Sequence, residues 1–353
     1  MLINALTKIN MAKGLRLMAR TKVIALHFLC ACTLLLFSIA VHSDTLTSQH
    51  ADIKELKLQQ IDQFLIESES KFTDIVEGTE KRVRWHNNQK LKTEYSIVYI
   101  HGFSSSSQEL SPTTQLLADK LGANTYYARL AGHGRSDDAM TQADVAAWQK
   151  ETLQAYQIGQ LLGEKAIIIS TSTGGTLATW LLNQDGIKQP FANIMVSPNY
   201  KVKNNSIWLL KSSIGLKIAK LINGEYNSFT PHSPEHAKYW TERYPLEAVR
   251  PMLKLLDAVK RLDKSKTTAP QLIVYSPTDN VVDVDEIKNV AKQFTNSAVT
   301  MHEFTQSTDP YQHVLSGVAC SPESTDIMVD VLFSYIESLN NNTVLSSNIK
   351  GQP

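Results

Sequence analysis

Ile167-Ile168-Ile169-Ser170-Thr171-Ser172-Thr173-Gly174-Gly175 is the stretch that decides how this chain folds. Three β-branched residues run into small polar ones, then two glycines, then a helical pattern through residue 183. A short apolar run rich in β-branched side chains predicts a buried strand, and the helical pattern behind it leaves only a tight turn between the two. Ser172 falls on that turn. A small-x-Ser-x-Gly turn between strand and helix exposes the serine hydroxyl and sets it at a helix N-terminus, where developing negative charge is favoured. Such a turn crowds the positions two before and two after the serine, so both must be small; here they are Ser170 and Gly174. Ser170 competes for the role, but it would put Ile168 and Ser172 at the crowded positions.

Working outward, strand-like apolar runs alternate with helical patterns. Strands are expected over 96–100, 124–130, 166–171, 191–197, 271–276 and 299–304. Helices are expected over 111–121, 141–162, 173–183, 284–295 and 324–339, with a further one over 44–71. Residue 111 reads as an N-cap before proline, and Thr141 with Asp144 as a variant capping box. Alternation of this kind predicts an α/β domain: a mostly parallel sheet with helices on both faces. The stretch 199–268 breaks the alternation and reads as a helical cap inserted between two strands, the competing reading being an extension of the core. The expected organisation is therefore 1–43 as signal peptide or N-terminal membrane anchor, 44–198 and 269–340 as core, 199–268 as cap and 341–353 as a flexible polar tail.

The chemistry-bearing residues lie at the ends of these strands. A hydroxyl needs a base, and a base needs an orienting acid. Asp279 follows the buried run 272–276, and Asp283 and Asp285 compete but read as caps of the next helix. His313 follows the last strand in Asp309-Pro310-Tyr311-Gln312-His313-Val314, whereas His302 lies inside a strand pattern. Ser172, Asp279 and His313 are thus the candidate triad. Acyl transfer also needs donors aimed at the oxyanion; the backbone amides of Phe103, in His101-Gly102-Phe103, and of Thr173 are the candidates. His101 and His133 read as braces of their loops. Trp208, Leu210 and Ile214 in the apolar part of the cap are the candidate substrate-binding residues. No metal-ligand spacing and no nucleotide loop is present, so no cofactor and no metal is expected.

Together these motifs resemble the α/β-hydrolase superfamily, closest to its carboxylesterase, monoacylglycerol lipase and lysophospholipase-like serine hydrolases. The resemblance rests on Ile100 to Phe103, Gly132-His133-Gly134-Arg135-Ser136, Ser170 to Gly175, Pro277 to Val282 and His313-Val314-Leu315, across roughly residues 95–338. It implies an eight-stranded, mostly parallel sheet with a helical cap, and hydrolysis of a small-molecule or lipid ester with an apolar acyl group through an acyl-enzyme. It carries over Ser172, Asp279 and His313 as triad and Phe103 and Thr173 as oxyanion donors. Ser170 stands where the family has glycine. The same machinery could act on a lysophospholipid, thioester or peptide, and a non-catalytic exported binding protein is the remaining alternative.

Charge and cysteine usage bound the setting. The formal charge of +1 hides an asymmetry: residues 1–43 carry Lys8, Lys13, Arg16, Arg20 and Lys22 and no acid, leaving 30 basic against 34 acidic residues in the remainder. That remainder has no basic stripe, which argues against nucleic acid as a partner. The basic residues precede an apolar run over 23–41, interrupted by His27, Thr33 and Ser38. This reads as an export signal cleaved after Ser43 or as a membrane anchor, with Met11 and Met18 as alternative initiators, and either places the domain outside the cytoplasm. Beyond it only Cys320 remains, so no internal disulfide is expected and the core must carry the stability.

Overall fold

The computed structural model describes residues 53 and 55–350, with side chains as far as 341. The expectations for 1–43, and for a helix beginning at 44, fall outside the described residues. The chain divides between Glu55 and Leu56, and the fold below is that of the second unit. No helix among the described residues is long and apolar enough to cross a membrane.

In chain order the unit opens with α1 (Ile61–Glu69), β1 (Arg82–Arg84), β2 (Thr93–Ile100), α2 (Thr113–Leu121), β3 (Asn124–Tyr127), α3 (Val145–Leu162), β4 (Gly163–Thr171), α4 (Thr173–Leu182) and β5 (Ala192–Val196). Two expected helix starts move. Pro112 is the N-cap of α2, which begins at Thr113, and Asp144 caps α3 by accepting the Ala147 amide, with a 3-10 turn over Asp137–Gln142 in front of it. An aspartate with extended backbone and its carboxylate on the N3 amide is the stronger cap, so the helix starts there and not at Thr141.

After β5 come a 3-10 segment (Asn205–Lys211), α5 (Ser213–Asn223), the pair β6 (Tyr226–Ser228) and β7 (Arg243–Pro245) with α6 (Pro234–Tyr239) between them, and α7 (Val249–Lys260). The stretch read as one cap is of two kinds. α7 buries Val249, Met252, Leu253 and Leu256, a stripe at helical spacing, and it packs against α4 and α3 of the core. In α5, by contrast, Ile214, Ile218, Leu221 and Ile222 form a stripe that stays in solvent. The chain returns to the sheet with β8 (Gln271–Tyr275), α8 (Val284–Ala291) and β9 (Val299–Glu303), and ends in α9 (Thr325–Lys350). α9 continues through residues read as a polar tail; no glycine or proline interrupts it before Gly351.

The sheet has seven strands in the order β1-β3-β2-β4-β5-β8-β9, parallel except for β1 against β3. Eight were expected. The segment before β1 does not pair as a strand; it is held in turns by Val76 N–H to the Gly134 carbonyl and Lys81 N–H to Glu69 Oε2. β4, β5 and β8 are covered on both faces from Ala166, Ala192 and Gln271 onward, which is why they read as unbroken apolar runs. Ile97, Tyr99, Ile167, Ile169, Ile194, Val196, Leu272 and Val274 share one core cluster with α2 and α9 residues. Each such side chain contributes on the order of 1.5–3 kcal/mol by burial.

The order also locates the crevice. From β2 the chain steps to β3 on one side and then crosses to β4 on the other, with Ile100 paired to Ser170. At such a switch point the loops leaving adjacent strands splay apart above their carboxyl ends. Those loops begin with His101 and Ser172.

Candidate active site

Ser172 is the residue between β4 and α4. Its backbone has φ 51° and ψ −116°, a region that costs a non-glycine residue about 1–3 kcal/mol and persists only when neighbours hold it. Here they do: the Ser172 amide donates to the Val196 carbonyl at 3.0 Å, and its own carbonyl accepts the Gly175 amide at 2.9 Å and the Asn199 amide at 3.0 Å. The turn needs glycine at 174, because a Cβ there would stand 2.2 Å from the Ile100 carbonyl oxygen. At the other crowded position Ser170 is fully buried and its hydroxyl donates to the Ile194 carbonyl at 3.3 Å, so a serine fits where the family has glycine. That bond also removes Ser170 as a rival nucleophile.

His313 and Asp279 meet across the loops after β9 and β8. Asp279 is fully buried; its Oδ1 accepts the Val281 and Val282 amides at 2.7 and 2.9 Å, and its Oδ2 accepts His313 Nδ1–H at 2.8 Å. With Nδ1 as donor, Nε2 is the ring's acceptor. Burial alone would lower the imidazole pKa, but the charges of Asp279, Glu109 and Asp309 outweigh it and raise the value above that of an ordinary histidine. Asp309 does more: its Oδ2 accepts the His313 and Val314 amides at 2.8 and 2.9 Å, fixing the loop that carries His313. In the sequence alone Asp309 has no assigned role. An aspartate followed by proline four residues before a histidine is the local signal.

The two expected oxyanion donors face the same cavity. Among the described residues no acceptor takes the Phe103 or the Thr173 amide. The peptide that carries the Phe103 N–H is oriented by His101. Leu130 N–H donates to His101 Nε2 at 3.1 Å, so Nδ1 bears the proton and donates to the Gly102 carbonyl at 2.8 Å. Burial and the nearby His133 keep that ring neutral, with its pKa well below an ordinary histidine's. The Phe103 ring is boxed by His133, Trp148 and Tyr244 at centroid distances of 5.8, 6.3 and 5.3 Å. His101 and His133 are thus braces. Behind them the buried Arg129 holds Glu69 through two hydrogen bonds of 2.7 and 2.8 Å and donates to the His133 carbonyl at 3.2 Å.

The cavity has a volume of about 310 Å³. Its wall includes Phe103, Ile207, Phe229, Trp240, Tyr244 and Met252, with Ser172, Thr173 and His313 at the floor. Glu109, Asp309, His232 and His236 also face it, and among the described residues no lysine or arginine does. The three residues expected to touch substrate are elsewhere. Trp208 stacks under the Lys211 ammonium, Leu210 is buried outside the lining, and Ile214 is 73% exposed. The 3-10 turn over Asn205–Lys211 directs Ile207 inward instead, and the phase of α5 turns Ile214 to solvent; a helical wheel alone does not give that phase. Cys320 also faces the cavity, but burial pushes its thiol pKa far up and leaves it a poor nucleophile. Among the described residues no cluster of His, Cys, Asp and Glu has the arrangement of a metal site.

The sequence model of the family described as serine aminopeptidase, S33, matches residues 92–308. Among solved structures, a metagenome-derived lipolytic enzyme of the LipS and LipT study is similar over 75% of this chain and 99% of its own, with a TM-score of 0.60 at 15% identity. A monoacylglycerol lipase from Paleococcus ferrophilus matches with a TM-score of 0.53 at 15% identity, over 74% and 99% of the two chains. A soluble variant of monoglyceride lipase from Saccharomyces cerevisiae matches with a TM-score of 0.54 at 10% identity, over 74% and 91%. At these identities the likeness is one of fold, the α/β-hydrolase fold. No curated protein matches the chain.

Proposed function

This chain belongs to the serine aminopeptidase S33 family of α/β-hydrolases, and from that premise we propose that it cleaves carboxylic esters with an apolar acyl group through a Ser172–His313–Asp279 triad. One observation carries the reading: a base held by a buried carboxylate shares an apolar cavity with a strained serine and two unengaged amides.

In the mechanism that follows, His313 Nε2 takes the proton of Ser172 as Oγ bonds to the ester carbonyl carbon. The carbonyl π pair moves to oxygen and is held by the Phe103 and Thr173 amides. Collapse restores the carbonyl, breaks the bond to the alcohol and delivers the proton from His313 to the leaving oxygen. Water then attacks the acyl-enzyme with His313 again as base, releasing the acid and free Ser172. Asp279 keeps the ring in the Nδ1–H tautomer throughout.

The cavity wall supports the substrate class. Aromatic and aliphatic side chains favour apolar groups, and a substrate carboxylate would meet Glu109 and Asp309 with no lysine or arginine to pair with. Those same two carboxylates favour a second reading, in which a substrate ammonium binds and a peptide is cut. The neighbouring lipases in the solved structures favour the ester. Nitrophenyl esters of rising chain length, run beside amino-acid nitroanilides, separate the two. Ser172→Ala should lower kcat by several orders of magnitude, roughly up to 10⁶, and abolish fluorophosphonate labelling. An unchanged esterase rate in that variant, or no labelling of folded wild type, refutes the reading. Residues 1–43 lead us to place the enzyme outside the cytoplasm, either released by cleavage after Ser43 or held at a membrane through 23–41; cell fractionation separates the two.

A further inference from the structure

Among the buried ionisable groups of the cavity that the mechanism leaves unused, Glu109 lies nearest the nucleophile turn in its hydrogen bonds. Glu109, 2% exposed, lies in the turn that follows the oxyanion loop. Its Oε2 accepts the Gly102 amide at 2.8 Å and the Tyr99 hydroxyl at 3.1 Å, and Tyr99 in turn lies 3.1 Å from Thr171 Oγ1, beside the nucleophile. Gly102 is all that separates the carboxylate from Ser172: a Cβ at 102 would stand 2.8 Å from Glu109 Oε1 and 3.2 Å from Ser172 Cβ. The histidine loop rests on the same turn. The Val318 amide donates to the Ser111 carbonyl at 2.9 Å, and a Cβ on Gly317 would meet the Glu109 carbonyl at 2.9 Å.

The carboxylate therefore ties Gly102, just past β2, to Tyr99, which reaches Thr171 at the end of β4, while the backbone of its turn meets the loop that carries His313. The groups that face it are Tyr99, Ser105, His313 and Cys320, with Asp309 beyond them on the histidine loop. None is a lysine or arginine, so the imidazolium of His313 is its one counter-cation among them. Burial drives its pKa up to about 7, against the pull of the Gly102 amide and of His313, and its charge is one of those that raise His313.

We propose that Glu109 is a positioning residue for this reaction, holding the oxyanion loop through Gly102 and, when ionised, joining Asp279 as counter-charge to the His313 imidazolium. The proposal rests on the esterase reading above. It separates two roles that two substitutions divide. Glu109→Gln keeps a carbonyl acceptor for Gly102 and removes the charge. Glu109→Leu removes both.

The experiment measures kcat and KM for a short-chain nitrophenyl ester from pH 5 to 9, with thermal melts to establish folding. Glu109→Gln should shift the acid limb of kcat/KM to lower pH, since a lost anion lowers the pKa of the base, and reduce plateau kcat by about tenfold with KM within about twofold. Glu109→Leu should lose about a hundredfold in kcat, in the range for loss of an oxyanion donor. Tyr99→Phe withdraws a donor from the carboxylate, favours its neutral form and should move the limb the same way by less; it keeps the test open if the leucine variant does not fold. Acid limbs of Glu109→Gln and Tyr99→Phe that superimpose on the wild type overturn the proposal while leaving the esterase reading intact. A folded wild type with neither esterase activity nor fluorophosphonate labelling brings down both.

Discussion

Replacing Asp279 by asparagine tests the core of the site, and the structure fixes how the new amide must sit. Asp279 Oδ1 accepts two backbone amides, those of Val281 and Val282, while Oδ2 accepts one ring N–H. An asparagine can place its NH₂ on either side. Turned toward Val281 and Val282, it would leave two buried amide donors without an acceptor, at about 1–3 kcal/mol each. Turned toward His313 it leaves the backbone satisfied, and the ring adapts by moving its proton from Nδ1 to Nε2. The second arrangement is therefore favoured by roughly 2–6 kcal/mol. In it His313 Nε2 is a donor and cannot take the Ser172 proton. The wrong tautomer lowers kcat by about 10⁴ in a comparable triad, or about 5.4 kcal/mol of barrier at 1.36 kcal/mol per decade. KM should stay near wild type, because Asp279 is not part of the cavity wall. Steady-state kinetics with a nitrophenyl ester, with near-ultraviolet circular dichroism to establish folding, give the answer. A folded Asp279→Asn enzyme within tenfold of wild-type kcat would refute the assignment of the tautomer and with it of the base.

Three further outcomes follow from other parts of the site. Gly174→Ala forces a methyl group to 2.2 Å from the Ile100 carbonyl and 2.8 Å from that of His101, so both oxyanion loops must shift; a loss of roughly 10²–10³ in kcat is expected, and near-normal turnover would show that the elbow yields more easily than its geometry implies. Arg129→Met strands the Glu69 carboxylate in the protein, with the Lys81 amide at 3.1 Å and Lys81 Nζ at 3.9 Å left beside it; denaturant melts should show a loss of about 3–5 kcal/mol, and a loss below 1 would contradict the buried pairing. The base must be neutral to act and its pKa is raised, so kcat/KM should climb with pH along an acid limb centred above the ordinary imidazole value; a limb well below that value would mean that Asp279, Glu109 and Asp309 do not act on His313 as described.

Legibility of the site in the sequence followed the locality of each signal. The nucleophile turn is local: strand, small residue, serine and glycine lie within nine positions, and its geometry is set by contacts that any chain with that pattern must make. Asp279 and His313 are separated by 34 residues, yet each sits just after a strand, so chain order makes both candidates, and the fold pairs them at 2.8 Å. The cavity wall is not legible in the sequence for the opposite reason. Trp208, Leu210 and Ile214 are apolar, but whether an apolar residue faces a cavity, a core or solvent depends on the phase of its helix against neighbours far away in sequence. Glu109 had no local signal at all: a lone acid in a serine-rich loop is ordinary until the sheet folds it beneath Gly102 and beside His313.

What the sequence determined by itself is therefore what short-range sterics and periodicity enforce: the α/β class, the succession of strands, the elbow and the family to which the chain belongs. What only the tertiary structure decided is the electrostatic and steric surroundings of the site. Among the described residues the sheet has seven strands where eight were expected, and the segment before β1 is held in turns. Ile207 replaced Ile214 at the pocket. Two carboxylates, Glu109 and Asp309, share the cavity with His313. Coulomb forces and packing act through space, between groups that the order of residues does not bring together, and only the closed fold supplies their distances.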